Sequence, residues 1–211
     1  MKRVPVVPWS TAPTYPPLIP RYSHLVVQQA ASGGYRLGPE LLTAAAIQAR
    51  VAELAGAVSR DYEGLDRPLI LLSVLKGSVS FATDLGRSIT VPVNFDYVAV
   101  SSYGQATVSS GHVMLLKDLS MDVAGRHVLM VEDIIDTGLT TAFLFEHVQR
   151  HAPASLKLCV LLDKAERRVK PVEVAYRGFT IPNQFVVGYG LDFNELYRNL
   201  AAVHVLEPDA T

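Results

Sequence analysis

Three short runs are apolar at most of their successive positions, and they constrain the fold more than any other feature of the chain. They are LILLSVL at 69–75, RHVLMVE at 126–132 and LKLCVLL at 156–162. Successive side chains of a strand point to opposite faces, so a run that is apolar at successive positions is buried on both faces. This is typical of central strands in a parallel sheet. The sequence therefore predicts a sheet that is covered on both sides.

Helical patterns before and between these runs would cover the two faces of the sheet. One opens at Gly38-Pro39-Glu40 and continues to Val58, one occupies residues 78–89 and one occupies residues 140–150. The strand–helix–strand order predicts a doubly wound α/β sheet. Further strands are predicted at 93–100 and 112–117. Short C-terminal strands, which would form a small subdomain or a sheet edge, are predicted at 173–176, 185–187 and 203–206.

The first 35 residues differ from the rest in composition. Six prolines between Pro5 and Pro20 exclude a regular helix there. We expect residues 1–35 to form an extended or disordered arm, which could lie on the domain or on a partner subunit, and residues 36–211 to form one domain. A chain of 211 residues, 49% of them hydrophobic, is long enough for one sizeable core.

Composition also limits the kind of function. Lysine and arginine total 19 against 20 acids, and this balance argues against a protein built mainly to coat nucleic acid. The single cysteine, Cys159, excludes a disulfide within the chain and is predicted to be a buried apolar side chain. No apolar stretch approaches the ~18 residues that a membrane span needs, and prolines interrupt the first 20 residues, so we expect a cytoplasmic protein.

The segment VLMVEDIIDTGLTT at 128–141 carries the clearest chemical signal. A predicted strand ends in Glu132 and Asp133, then Asp136 follows, and a loop rich in threonine and glycine leads into a helix. Ligands of open α/β sheets bind beyond the carboxyl ends of the strands. The N–H groups at a helix start favour phosphate, and clustered carboxylates suit sugar hydroxyls or magnesium. The segment therefore predicts a site for a phosphosugar, whereas an ordinary strand–turn–helix would leave three repelling acids unexplained.

This segment resembles the phosphoribosyl-pyrophosphate motif of type I phosphoribosyltransferases. Over residues 40–207 the chain is similar to the hypoxanthine-guanine branch of that family, which implies a doubly wound parallel sheet with a small hood subdomain and a flexible loop. The further segments that carry the resemblance follow one another in family order at 74–78, 101–104, 161–164, 181–189 and 191–198.

The resemblance implies a role for each matching position on the sugar side of the site. Glu132 and Asp133 would hold the ribose hydroxyls and, together with Asp192, a magnesium ion. The 5′-phosphate would bind at Thr137, Gly138, Leu139 and Thr140. Pyrophosphate would bind at Leu75, Lys76, Gly77 and Arg198, beside a cis Leu75–Lys76 peptide. Ser102 and Tyr103 would lie on a mobile loop that closes over the reacting atoms.

The resemblance also implies how a base would bind and react. Asp136 would lie near N7 of a purine as the candidate proton acceptor or donor. Lys164 would donate to O6, Phe185 would stack on the ring, and Val186 and Asp192 would meet its other polar edge. The implied reaction joins hypoxanthine or guanine to the phosphoribosyl group of phosphoribosyl pyrophosphate, with magnesium, to give IMP or GMP. Family habit implies a homodimer or homotetramer.

Two alternatives to this reaction stay open. A related enzyme could prefer xanthine, because base recognition at position 2 depends on backbone groups rather than on side-chain identity. A regulator of the same fold could sense phosphoribosyl pyrophosphate and bind nucleic acid. The regulator would need a broad basic face and a degraded catalytic set, and it is disfavoured by the net charge of −1 and by the presence of Asp136, Lys164 and Asp192.

Two clusters outside the motif have simpler interpretations. His147 and His151, four apart on a predicted helix, could hold zinc, but the sequence offers no evident third ligand, so a solvated helix face is expected. A mild basic cluster is interpreted as a solvated flank or, second, as a subunit contact; its members are Arg167, Arg168, Lys170 and Arg177.

Overall fold

The computed structural model describes residues 34–102 and 113–209, which form two sheets and three α-helices. Residues 1–33, which make up nearly all of the predicted arm, lie outside the described residues, as do Tyr103 and the side chain of Ser102. In chain order the elements are β1 (Tyr35–Leu42), α1 (Ala44–Asp61), β2 (Leu69–Leu75), α2 (Val79–Ser88), β3 (Val93–Ser102), β4 (Val113–Lys117), β5 (His127–Ile135), α3 (Leu139–Gln149), β6 (Ser155–Asp163), a 3₁₀ turn (Ala165–Arg167), β7 (Tyr176–Thr180), β8 (Val186–Val187) and β9 (Val203–Pro208).

The larger sheet has the strand order β4-β3-β2-β5-β6-β7. Strands β3, β2, β5, β6 and β7 are parallel to one another, and β4 pairs antiparallel with β3 at the edge. Strand β5 lies between β2 and β6, with Val131 opposite Ser73 on one side and Cys159 on the other. This arrangement brings the carboxyl ends of β2, β5 and β6 to the same edge of the sheet.

Alternate side chains of the central strands pack on opposite faces. On one face, Leu129 and Val131 belong to the buried cluster that contains α1 and α2. On the other face, Val128 and Met130 pack with Leu144 and its neighbours on α3. Burial on both faces explains why these strands are apolar at successive positions. The predicted doubly wound α/β fold is confirmed.

The smaller sheet joins the beginning and the end of the described chain. Its strand order is β1-β9-β8, with both pairs antiparallel. Tyr35 pairs with Pro208, and the Asp209 N–H donates to the Gly34 carbonyl at 2.8 Å. Two of the three short C-terminal strands that were predicted form this small subdomain as β8 and β9, with β1 as an additional strand, whereas the third corresponds to β7 at the edge of the larger sheet.

The predicted start of the first helix was wrong. Residues from Gly38 to Leu42 belong to β1, and α1 begins only at Ala44. Thr43 is the N-cap, and its hydroxyl oxygen accepts the Ala46 N–H at 3.0 Å. Pairing with β9 outweighs the local helical pattern, and the register irregularity between Leu37 and Glu40 accommodates a proline, which has no N–H to donate.

The strand predicted at 173–176 also lies further along the chain. Strand β7 begins at Tyr176, which pairs with Cys159, and the Ala175 N–H already donates to the Leu158 carbonyl at 3.0 Å. The other predicted strands and helices are confirmed to within a few residues at their ends. Among the described helices, none combines the length and the apolar character that crossing a bilayer requires.

The position of the helix start gives a stability prediction. Thr43→Ala removes the cap of α1 and is expected to lower the free energy of unfolding by about 1 kcal/mol, measured by urea denaturation, whereas Thr43→Ser keeps the hydroxyl and the stability. If the helix instead ran through residue 43, alanine would stabilise the protein by up to about 0.7 kcal/mol, because its helix propensity exceeds that of threonine. The sign of the change therefore decides where α1 begins.

Candidate active site

The candidate site lies at the carboxyl edge of the larger sheet. Strand β5 ends at Ile135 and delivers Asp136 to this edge, while β6 ends at Asp163 and delivers Lys164. The neighbouring strand β2 ends at Leu75, and the Leu75–Lys76 peptide is cis, as the resemblance implied. Residues far apart in sequence are thus brought together by parallel pairing.

A cavity of about 490 Å³ opens between this edge and the smaller sheet. Lys164 is buried, whereas Phe185 is 52% exposed and its ring contacts Phe193 edge-on, with ring centroids 5.8 Å apart. The four positions predicted to bind a base therefore line one cavity together with the predicted proton-transfer residue. The lining residues are Asp133, Ile134, Asp136, Lys164, Arg167, Asn183, Phe185, Val186, Leu191 and Asp192.

A smaller cavity of about 170 Å³ adjoins the start of α3. Gly138 is the N-cap, with a φ of +81°, and it has no side chain to satisfy the N–H groups of the first turn. A Cβ at this position would lie 2.7 Å from the Lys170 carbonyl oxygen, so both the backbone conformation and the space favour glycine. Thr137 and Thr140 line the cavity with Glu132. Free N–H groups and hydroxyls at a helix start form an anion-binding surface.

Asp136 lies between the two cavities and faces Arg167. Their Oδ1 and Nε atoms are 3.0 Å apart, which is close enough for an ion pair. The N–H does not point at the oxygen, however, so this buried Oδ1 lacks a properly directed donor among the described residues. Arg168 donates from Nε to the Asp136 carbonyl at 3.1 Å and thereby fixes the backbone of the loop.

Burial perturbs the charged groups around the cavity. Burial lowers the pKa of Lys164, while the nearby Asp136 carboxylate opposes that shift. Burial raises the pKa of Glu132 well above its ordinary value, and repulsion from Asp133 adds to the effect. For Asp133, burial is again the largest cause and raises the pKa to about 6, with repulsion from Asp192 as a lesser contribution. A cation or hydroxyl donors would stabilise such a group of buried, mutually repelling carboxyls.

Gly77 allows the acids to lie close to the end of β2. A Cβ at this position would be 1.9 Å from Oδ2 of Asp133, so any side chain there would displace the carboxylate. Gly190 is equally close-packed, because its Cβ would lie 2.1 Å from the Gly77 carbonyl oxygen. The contact between these two glycines brings the turn that contains Asp192 against the end of β2.

Arg198 organises the acidic turn near Asp192. Its Nη2 atom lies 2.7 Å from Oδ1 of Asp192 and 3.3 Å from Oε2 of Glu195, and its Nη1 donates to the Gly190 carbonyl at 2.8 Å. Lys76 directly follows β2, and its Nζ atom lies 3.0 Å from Oε1 of the same Glu195 carboxylate. Hydrogen bonds from Lys76 and then from Arg198 lower the pKa of Glu195. The two cations predicted to bind pyrophosphate are therefore neighbours, held by a glutamate that sequence reasoning missed.

The basic cluster is largely exposed, as expected for a solvated flank, but most of its side chains also form ion pairs. Arg168 forms an ion pair with Asp163, which is almost fully buried, and Arg177 reaches the other oxygen of that carboxylate at 2.8 Å. Together with Arg167 at Asp136, three of the four basic side chains form ion pairs around the ends of β5 and β6. The arginine-rich run after Lys164 was the only sequence signal that could have indicated this role.

Comparison with known proteins agrees with this geometry. Residues 39–194 match the family model described as the phosphoribosyl transferase domain. The hypoxanthine-guanine phosphoribosyltransferase of Mycobacterium tuberculosis is 51% identical over 172 residues, which cover 80% of this chain and 85% of that protein. The same-named enzyme of Streptococcus pneumoniae is 45% identical over 157 residues, which cover 74% of this chain and 86% of that protein.

Solved structures give the same result. A hypoxanthine-guanine phosphoribosyltransferase from Bacillus anthracis superposes with a TM-score of 0.76 at 45% identity, over 81% of this chain and 99% of that one. A hypoxanthine phosphoribosyltransferase from Trypanosoma cruzi superposes with a TM-score of 0.75 at 44% identity, over 80% of this chain and 95% of that one. Sequence, fold and site geometry lead to one conclusion: the chain belongs to the phosphoribosyl transferase family.

Proposed function

We propose that the chain catalyses purine salvage by transferring the 5-phosphoribosyl group of phosphoribosyl pyrophosphate to N9 of hypoxanthine or guanine. The products are IMP or GMP and pyrophosphate. One observation carries the proposal: Lys164, Phe185 and Asp136 line a single cavity, and this cavity adjoins the anion-binding surface at the start of α3. The names of the relatives from M. tuberculosis and B. anthracis support the same reaction.

The residues of the larger cavity suit a 6-oxopurine. The Lys164 ammonium is a hydrogen-bond donor, so it favours a carbonyl at position 6 over an amino group, which would present a second donor. The exposed ring of Phe185 offers a stacking surface at the cavity entrance. We assign the remaining polar edge of the base to the main chain of Val186 and to the turn at Asp192, which line the same cavity.

The smaller cavity suits the phosphorylated sugar. The N–H groups at the start of α3 and the hydroxyls of Thr137 and Thr140 surround it, and we assign the 5′-phosphate to them. Glu132 lies beside this cavity with a raised pKa, which favours hydrogen bonding to ribose hydroxyls. Asp133 belongs to the larger cavity instead, where it faces Asp192.

The donor set also fits magnesium, which prefers oxygen ligands and retains waters. Asp133 and Asp192 supply two mutually repelling carboxylates beside the predicted pyrophosphate position, so we assign the ion to them, with Glu132 as a more distant partner. When bound, the ion would supply positive charge against the pyrophosphate. Lys76 and Arg198 lie beside these acids and could bind the pyrophosphate oxygens once released from Glu195.

These residues can then orient the two reactants, stabilise the leaving pyrophosphate and accept the proton from the base. N9 of the base forms a bond to C1′ while the bond from C1′ to the pyrophosphate oxygen breaks and its electron pair leaves with pyrophosphate. Lys76 and Arg198 stabilise the leaving charge. The proton on N7 of the base passes to the Asp136 carboxylate, whose Oδ1 faces Arg167. Much of the rate enhancement would come from holding the base and phosphoribosyl pyrophosphate in reactive positions within one cleft.

Asp136→Asn tests proton transfer. The amide cannot accept the proton, so kcat is expected to fall by about 10²–10⁴-fold, while the dissociation constant of phosphoribosyl pyrophosphate stays close to that of the unmodified protein. Initial rates and calorimetry on the same preparation measure the two quantities. A kcat close to normal would remove Asp136 from the proton-transfer step.

Lys164→Ala tests base selection. Loss of the donor to O6 is expected to reduce kcat/KM for hypoxanthine and guanine by at least about tenfold, a change of 1.4 kcal/mol, and to narrow their advantage over adenine. The matched control is Lys157→Ala, which removes a lysine from the opposite end of β6 and should leave the ranking unchanged. Unaltered relative kcat/KM values across the bases in Lys164→Ala would contradict the assignment.

Measuring kcat/KM for each base, with xanthine included and with one series that omits magnesium, separates the alternative functions. A xanthine-preferring enzyme would rank xanthine first. A nucleic-acid-binding regulator would turn over none of the bases, and it is disfavoured here because Arg167, Arg168 and Arg177 form ion pairs with acids at the site. A homodimer or homotetramer and a cytoplasmic location stay predictions of the sequence.

A further inference from the structure

Two histidines and an aspartate meet at the far end of α3. His147 lies on the last turn of the helix, His151 follows just beyond it, and Asp118 comes directly after β4. One ligand atom from each of the three side chains lies within 4.8 Å of the other two. The group is separate from the active site, because His147 is eight residues from the start of α3, a distance of about 12 Å along the helix axis.

Specific contacts hold the three side chains together. Nε2 of His147 is 2.7 Å from Oδ1 of Asp118, and the Leu119 N–H donates to the same oxygen at 2.7 Å. The His147 ring stacks on Phe143 at an interplanar angle of 12°, and its centroid is 5.3 Å from that of His151. The backbone N–H of His151 donates to the Val148 carbonyl at 3.0 Å. This turn at the end of the helix keeps the two imidazoles adjacent.

We propose that Asp118, His147 and His151 bind a divalent first-row transition-metal ion, with Zn²⁺ as the preferred ion. Two imidazole nitrogens and one carboxylate oxygen are ligands that zinc takes in proteins, whereas magnesium prefers oxygen alone. The sequence pattern had supplied only the histidine pair. Folding adds the third ligand, which is 29 positions from His147.

The distances are compatible with coordination after small side-chain movements. Ligand atoms about 2.0–2.1 Å from a tetrahedral zinc ion lie roughly 3.3 Å from one another. The contact between Asp118 and His147 is shorter than this because the two atoms are at hydrogen-bond distance, and a metal ion would take the place of that hydrogen bond. The Asp118 side chain is 52% exposed, so it can rotate without disturbing the core.

Metal binding at this cluster would tie two separate parts of the fold together. Asp118 belongs to the connection between β4 and β5, and the histidines belong to the end of α3. An ion bound only by the folded arrangement raises the stability of the folded state in proportion to its concentration and affinity. We therefore assign the cluster a structural role, and the transferase reaction does not require it.

The test titrates Zn²⁺ into the full chain by calorimetry, in chelator-free buffer without phosphoribosyl pyrophosphate. One Zn²⁺ ion per chain is expected at this cluster, and the affinity should fall at least about tenfold in His147→Gln, His151→Gln and Asp118→Asn. The matched control is His204→Gln, which changes a histidine on β9 and should bind as the unmodified protein does. Zn²⁺ should also raise the melting temperature of the unmodified protein and of this control.

Two further measurements keep the outcomes distinct. Transferase activity with hypoxanthine should be unchanged in all four variants, which verifies that they fold. Visible absorption of bound Co²⁺ should appear in the unmodified protein and disappear in the two cluster histidine variants. Absence of zinc binding, undiminished binding in both cluster histidine variants, or loss of binding only on Asp133→Asn would each overturn the proposal.

Discussion

Parallel pairing of β2, β5 and β6 is the constraint on which the rest of the structure depends. The register places Ile135 opposite Asp163 and Val131 opposite Ser73, so the three strands run to the same edge of the sheet. Acids, lysines and the first turn of α3 consequently meet at one edge. The apolar packing on both faces of these strands stabilises an arrangement in which buried carboxyls repel one another.

Electrostatic pairing keeps this edge stable before a ligand binds. Arg167 faces Asp136, Arg198 faces Asp192, and Lys76 reaches Glu195. The two cations proposed to bind pyrophosphate, Lys76 and Arg198, therefore already have carboxylate partners within the protein. Binding of an activated sugar phosphate would exchange these internal partners for phosphate oxygens, so each cation would keep an opposite charge beside it.

Features that depend on local pattern were predictable, and features that depend on distant pairing were not. The strand over 69–75 was predicted in full because burial on both faces leaves a continuous apolar run. The second half of β1 was mistaken for the start of a helix because its partner β9 lies at the other end of the chain. For the same reason Glu195 and Asp118 were missed, since their importance comes from side chains on other elements: Lys76 for the first and His147 for the second.

The most direct measurement of the central claim is calorimetry of phosphoribosyl pyrophosphate with the folded protein in magnesium buffer. One molecule per chain should bind, and Gly77→Ala should weaken binding at least about tenfold, because its Cβ would displace the Asp133 carboxylate. Gly56→Ala, where the nearest atom is 3.5 Å from the new Cβ, is the matched control and should bind normally. No binding by folded, unmodified protein would contradict the account.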